Sequence, residues 1–318
     1  MTESQPQKHP IISVAVSPKF LGDWDTLQRA LNVLTQQDQA MRTATEPSER
    51  RVTISSMGEL HLEVICDRLS REFKIPVDVG KLQIVYVETI RKVSEAEAKY
   101  IRQVGGRGQY AHVKLSLEPG ELGTGYQFID KSPTNAVPQQ FVESINSGIA
   151  EAMKTGVLAD NEIVDLRVIL CDGSYHVEDS SEVAFKIAAC MAFKEAARKA
   201  NPVILEPFMS MDVFIPEDYV GSIMGELSSR RGRIERINTR GDSVVVHAVA
   251  PLKEVLGFAS HLRAITQPRS SCSMQFASYE PLSNGGSEAH EIGVPANKPR
   301  SPTPKAGFAA AEPNGLFD

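Results

Sequence analysis

Tryptophan occurs once and cysteine four times in this 318-residue chain, and Lys and Arg are outnumbered by Asp and Glu, 34 to 40. The cysteines (Cys66, Cys171, Cys190 and Cys272) are scattered, with no C-x-x-C pair. They read as small apolar residues, not as a disulfide frame or zinc site. A formal net charge of −6 leaves no global basic field to drive indiscriminate nucleic-acid binding. Any such contact has to come from local patches. No run approaches the roughly 18 apolar residues of a membrane span. The opening MTESQPQKHP is polar and has no apolar signal core. The expectation is a cytoplasmic protein with no membrane partner.

Other absences bear on chemistry. No G-x-x-x-x-G-K-[ST] loop occurs. Gly80-Lys81 lacks the upstream glycine and is followed by Leu82, and Asn297-Lys298 lies near the end of the chain. The usual phosphate-cradling loop therefore cannot be built, and no cofactor is expected in this chain. Glu59-Leu60-His61-Leu62-Glu63 has no second histidine at helical spacing, which excludes H-E-x-x-H metal chemistry. No nucleophile–base constellation is apparent, so no catalytic residue and no enzyme activity are expected of the chain alone.

What is present is ordinary globular composition, 42% hydrophobic and 23% charged, in a length that predicts two or three domains. Over residues 10–87, Ile12, Val14 and Val16 alternate as a half-buried strand. Trp24, Leu27, Leu31 and Leu34 follow on one helix face, with Asp23 as a cap. Strands are expected around 41–45 and 51–55. A helix with Leu62, Ile65, Cys66, Leu69 and Phe73 on one stripe ends before Pro76, and Ile84–Val87 closes the unit. The order β-α-β-β-α-β is the split βαβ, or ferredoxin-like, arrangement.

Residues 203–280 repeat it. Phe208–Phe214 reads as a strand. A helix opens at Pro216-Glu217-Asp218 and stops at Gly232. A hairpin turns at Arg240-Gly241-Asp242. Pro251 opens a helix with Leu252, Val255, Leu256, Ala259 and Leu262 on its face, and Cys272–Phe276 ends the unit.

Residues 88–202 differ. Strands Lys99–Val104 and Tyr110–Leu117 flank Gly105-Gly106-Arg107-Gly108. A helix through Phe141, Ile145, Ile149 and Ala152 stops at Gly156. Val164, Leu166, Val168 and Leu170 alternate as a strand that enters a loop, Asp172-Gly173-Ser174-Tyr175-His176. Asp179 or Ser180 caps the next helix. The fold class is α+β: two ferredoxin-like domains flank an elongated α/β domain. Residues 1–9 form an extension. Residues 281–318 hold six Pro and five Gly with few large apolar side chains, and are expected to be a disordered tail.

IRQVGGRGQYAHVKL and, further on, DGSYHVEDSSEVAFKIA resemble the fourth domain of bacterial elongation factor G. SSMGELHLEVICDRLSREF with VDVGKLQIVYVET resembles its third domain. PVILEP with VGSIMGELSSRRGRI resembles its fifth. The resemblance covers about residues 10–280, in the family's order. It implies the carboxyl-terminal half of the factor standing alone, without the GTPase and second domains. GTP and Mg are then implied only for that missing GTPase domain, to be supplied by a separate GTPase-domain chain. The implied partner is the ribosome: RNA of both subunits and the tRNA–mRNA unit at the decoding site.

Gly105, Gly106, Arg107, Gly108, Gln109 and Tyr110 are the first candidate contact. From Lys99 to Lys114 there are four Lys/Arg and no acid. Arg107 can fork onto phosphate, Gln109 can bond base or ribose edges, and Tyr110 can stack on a base. Spacing alone favours an ordinary glycine-rich turn, whereas the resemblance places this loop at the decoding site. Asp172, Gly173, Ser174, Tyr175 and His176 are the second. A lone His is usually an exposed loop residue, but the resemblance makes His176 the tip histidine implicated in tRNA movement. The family has an acid and then valine after it, where this chain has Val177-Glu178. Arg230 and Arg231, clustered with Arg233, Arg236 and Arg240, read equally as a solvated arginine face or as a ribosomal-RNA patch. In the family, the fifth domain meets large-subunit RNA. The function implied is promotion of tRNA–mRNA translocation. The other readings are a ribosome-binding regulator or tetracycline-protection-type relative without translocation, and a vestigial fragment.

Overall fold

The computed structural model describes residues 9–282 except Gln39, Pro47, Gly105, Gly106, Thr134, Gly241, Asp242, Gln267 and Pro268, with backbone alone at Val104, Arg107 and Arg240. The expected tail beyond Leu282 and the extension before His9 lie outside the described residues.

Along β1 (Ile12–Pro18) the side chains of Ile12, Val14 and Val16 are buried, as alternation demands. A single 3-10 turn leads into α1 (Trp24–Gln37), which buries Leu27, Ala30, Leu31 and Leu34. Asp23 stands at its start but makes no side-chain capping bond. β2 (Arg42–Glu46), β3 (Arg51–Ser56) and α2 (Glu59–Arg71) follow, then β4 (Val77–Val79) and β5 (Gln83–Ile84). The sheet order is β2-β3-β1-β4, antiparallel throughout, with β5 also on β1. This is the split βαβ topology. The closing strand is not Ile84–Val87. Val77–Val79 takes that place beside β1, where Ile84 also pairs, whereas Val87 belongs to β6 (Val87–Ile90), which pairs with residues 202–205 of the third sheet. Val87, Glu88 and Ile90 are all almost fully buried, so β6 gains more by lying between modules than at the edge of the first sheet.

The middle module contains β7 (Ser94–Val104), β8 (Arg107–Pro119), β9 (Tyr126–Asp130), α3 (Gln139–Thr155), β10 (Leu166–Ser174) and α4 (Glu182–Lys199). Its order is β7-β8-β10-β9. β9 has no counterpart in the sequence reading; it runs parallel to β10 and reaches it through the α3 crossover. α4 buries six alanines with Phe185 and Phe193. Their small side chains let α3 pack closely, and Phe141 stacks on Phe185 at 4.6 Å. The α4 cap is Ser181, which accepts from the Ala184 N–H, not Asp179 or Ser180.

The third module contains β11 (Pro202–Pro216), α5 (Val220–Ser229), β12 (Arg233–Arg240), β13 (Ser243–Pro251), α6 (Leu252–Val255), α7 (Phe258–Thr266) and β14 (Ser271–Pro281). Its order, β12-β13-β11-β14, repeats that of the first sheet. The single helix expected after Pro251 is broken in two. Gly257 takes φ +73°, and Leu256 turns outward at 38% exposure. α5 closes with Arg231 in the left-handed position and the Gly232 N–H bonded to Leu227 O at 2.8 Å.

The first and third modules share one hydrophobic core, while the middle module has its own. Tyr279 Oη on β14 donates to Pro10 O at 3.1 Å, and Arg42 of β2 reaches Glu162, before β10, at 2.7 Å. Glu88 is fully buried; its carboxylate accepts from the backbone N–H groups of Val157, Leu158 and Ala159. These bonds replace the water that a buried charge loses.

Candidate nucleic-acid interface

The two loops read separately from the sequence meet at one end of the middle sheet. β7 and β8 pair up to Val104 and Arg107, with Ile101 opposite Tyr110 and Arg102 opposite Gln109. The Tyr110 N–H donates to Asp179 O at 2.8 Å. Ser180 Oγ donates to Tyr110 O at 2.7 Å and accepts from the His176 N–H at 2.9 Å. The Asp179 carboxylate lies against Gly108 and stands 3.2 Å from His176 Nδ1. Tyr175 and Val177 are exposed, 42% and 86%, on either side of His176.

Several expected contact residues are used inside the protein. Asp172, Gly173 and Ser174 are not loop. They continue β10, paired with Lys114, Val113 and His112 after a bulge at Cys171. Gly173 is packed so tightly that a Cβ there would fall 2.5 Å from Val137 Cγ2 and 2.7 Å from His112 O. It is buried within the sheet. Ser174 Oγ lies 2.8 Å from Tyr110 Oη and 3.3 Å from His112 Nδ1, so the half-buried Tyr110 is held by its hydroxyl. Gly105 and Gly106 lie outside the described residues, and of Arg107 only the backbone is described.

The basic reading of Lys99–Lys114 changes in three dimensions. Glu95 on β7 pairs with Lys114 across the sheet at 3.0 Å, and this hydrogen bond holds the ammonium above its usual range. Glu97 stands 3.2 Å from His112 Nε2. Cross-strand acids and Asp179 thus balance part of the charge that is uninterrupted in sequence.

Three arginines of the cluster, Arg230, Arg231 and Arg233, make ion pairs within the protein. Arg230 binds Glu226 at 2.8 Å and Glu254 O at 2.6 Å, and lies over the Phe258 ring. Arg231 grips the buried Glu206 with both Nη atoms, at 2.5 and 3.3 Å. Arg233 forks onto Glu280 and covers Phe208. Arg230 and Arg231 are thus ion-paired within the protein while the Arg231 side chain keeps 38% of its surface exposed. They hold the end of α5 to its neighbours.

Family comparison follows the same three modules. Residues 8–81 match Elongation Factor G, domain III; residues 82–201 match Elongation factor G, domain IV; residues 203–288 match the Elongation factor G C-terminus. The chain belongs to the elongation factor G family. Its structure is similar to a crystal structure from Thermus thermophilus, with 35% identity and a TM-score of 0.65 over 88% of this chain. The match spans 42% of that structure's chain. The joined loops fall within the part matched to elongation factor G domain IV.

The Gly80 N–H is bonded to Ala15 O within the first sheet, which leaves it unable to cradle phosphate. Among the described residues no three His, Cys, Asp or Glu gather where a metal ion could sit. Also among the described residues, no helix is long and apolar enough to cross a membrane.

Sequence reasoning missed Asp179, Ser180 and Val177 as site residues. The two polar residues looked like a helix cap, because Asp and Ser before an apolar run usually are one. The available signal was Ser181, a further polar residue directly before the helix that was not weighed as its cap.

Proposed function

We propose that this chain is the ribosome-engaging half of an elongation-factor-G-type translation factor, acting in the cytoplasm. The reading rests on one observation above all: two loops far apart in sequence are joined at one end of the middle sheet, with Tyr175, His176 and Val177 turned outward. In this reading the joined loops enter the small-subunit decoding site as an anticodon arm would. His176 and the Tyr175 ring contact the tRNA–mRNA unit, and Gly105, Gly106, Arg107, Gly108 and Gln109 approach RNA through backbone and side chain. RNA here is met by shape, stacking and contacts across a wide minor groove. The work is binding and steric bias toward the translocated state, with GTP hydrolysis supplied by a GTPase domain outside this chain.

Co-sedimentation with ribosomes over a salt series tests this. Binding should weaken as salt rises, because phosphate contacts release counterions. Absence of binding at low salt would sink the proposal. Adding a GTPase-domain chain of the family should restore translocation. Binding without translocation under that condition would favour a regulator that only occupies the ribosome.

A further inference from the structure

We infer that Ser180 and Asp179 are positioning residues that lock the β8 end, Gly108–Tyr110, to the 175–181 segment, so that the two loops behave as one rigid unit. The lock itself is independent of the proposed function; only its consequence for ribosome binding rests on that reading.

Neither residue needs to touch RNA to act. Ser180 Oγ stands between both loops, donating to Tyr110 O at 2.7 Å while accepting from the His176 N–H at 2.9 Å. One hydroxyl, with one donor proton and two lone pairs, serves both at once. The Ser180 N–H also donates to His176 O at 3.0 Å, which closes a five-residue turn that begins at His176. Asp179 works from its two ends. Its carbonyl accepts from the Tyr110 N–H at 2.8 Å, and its carboxylate packs on Gly108 and stands 3.2 Å from His176 Nδ1. Tyr110 Oη, bonded to Ser174 Oγ, adds a tie from β8 to the end of β10, just before that segment.

Four contacts thus converge on Gly108–Tyr110 from outside its own hairpin, where two β-strands running into a turn ordinarily rely on each other alone. Helix capping does not account for the arrangement, because Ser181 caps α4. A loop ordered before binding loses less entropy on meeting its partner. That is the consequence of joining Tyr175, His176 and Val177 to a sheet end.

Hydrogen exchange of the free, full-length chain tests the lock. Ser180→Ala should raise exchange of both 108–112 and 175–180 by at least tenfold and leave α3 unchanged. Ser180→Thr, which keeps the hydroxyl, should restore protection. Ser181→Ala is the control for general weakening; it removes the α4 cap and should leave exchange at 108–112 as in the wild type. The inference is overturned if Ser180→Ala leaves 108–112 protected, or if Ser181→Ala exposes that segment equally. Gly108→Ala offers a second route, since its Cβ meets the Asp179 carboxylate. It displaces only the carboxylate and leaves the Ser180 bonds in place, so it should raise exchange at 175–180 less than Ser180→Ala does, and a larger rise would count against the lock. Ribosome affinity measured on the same variants should fall in the order of their exchange rates. If the wild type fails to bind ribosomes, the proposed function fails while the exchange result still decides the lock.

Discussion

Gly108 and Asp179 touch across the two loops: a Cβ on Gly108 would stand 2.7 Å from Asp179 Cγ. The obstacle is a carboxylate at the end of a side chain, so it can swing away. Gly173 faces the same distance to a backbone oxygen, His112 O, with Val137 Cγ2 at 2.5 Å behind it. Backbone within a paired sheet cannot swing. Gly108→Ala should therefore cost about 1 kcal/mol and Gly173→Ala about 3 kcal/mol, the two ends of the overpacking range. Urea unfolding of both variants checks the order, and equal costs would contradict this account of the two walls.

Arg231 and Glu206 supply a second prediction. Glu206 is 1% exposed, and the Arg231 guanidinium is paired with its carboxylate. Arg231→Ala leaves a buried carboxylate poorly compensated, which should cost about 3 kcal/mol, the low end for a buried pair because the arginine side chain is 38% exposed. Glu206→Gln, which removes the buried charge, should cost less. A thermal melt separates the two. Arg231→Ala folding as stably as the wild type would contradict this account of the pair.

The hydroxyl of Tyr279 ties the third module to the first. Tyr279→Phe removes the bonds to Pro10 O and Val85 O but keeps the ring against Phe276. The loss should be about 1 kcal/mol, a single net hydrogen bond, with no change in cooperativity, since the shared core remains. Denaturant unfolding followed at two wavelengths would show a split transition if the hydroxyl were the main tie.

Alkaline pH should weaken the fold. Burial, with Asp212 nearby, pushes the Cys272 thiol up to about 12 from 9.0, and burial raises the Tyr126 and Tyr279 hydroxyls above 10.0. Each group keeps its proton in the folded state at a pH where the unfolded chain has lost it. The folded state then binds more protons, so stability falls as pH rises. For Cys272 the contribution is whole below pH 9 and is lost between 9 and about 12. Stability measured from about pH 8 to 11 should decline, and Cys272→Ala should flatten the lower part of that slope. The same burial should keep Cys272 unalkylated at about pH 8 in the native protein.

Both ferredoxin-like modules were legible because each helix carries its apolar residues on one stripe and β1 alternates cleanly. β6 was not. Val87 read as the end of one unit, and Ile90 fell in the next, because nothing local distinguishes a strand that pairs with its own sheet from one that pairs with Leu205 and Pro202, far along the chain. The break at Gly257 was hidden by apolar residues that keep helical spacing through it. At the site, the glycine–arginine turn and the histidine were visible as residue types. That Gly173 is packed against its neighbours and Ser174 bonded to Tyr110 was not visible, because a strand's end is set by its pairing partner.

Sequence alone determined the module order, the membership of two helical stripes and a strand in each ferredoxin-like unit, and the two segments that carry the candidate tip. These depend on periodicity and motif, which are local. The tertiary structure decided which charges remain free. Arg230, Arg231 and Arg233 look like one basic run, yet their acids, Glu226, Glu206 and Glu280, come from 4, 25 and 47 residues away. Coulomb energy depends on distance in space, and the chain's folding sets that distance independently of position along it.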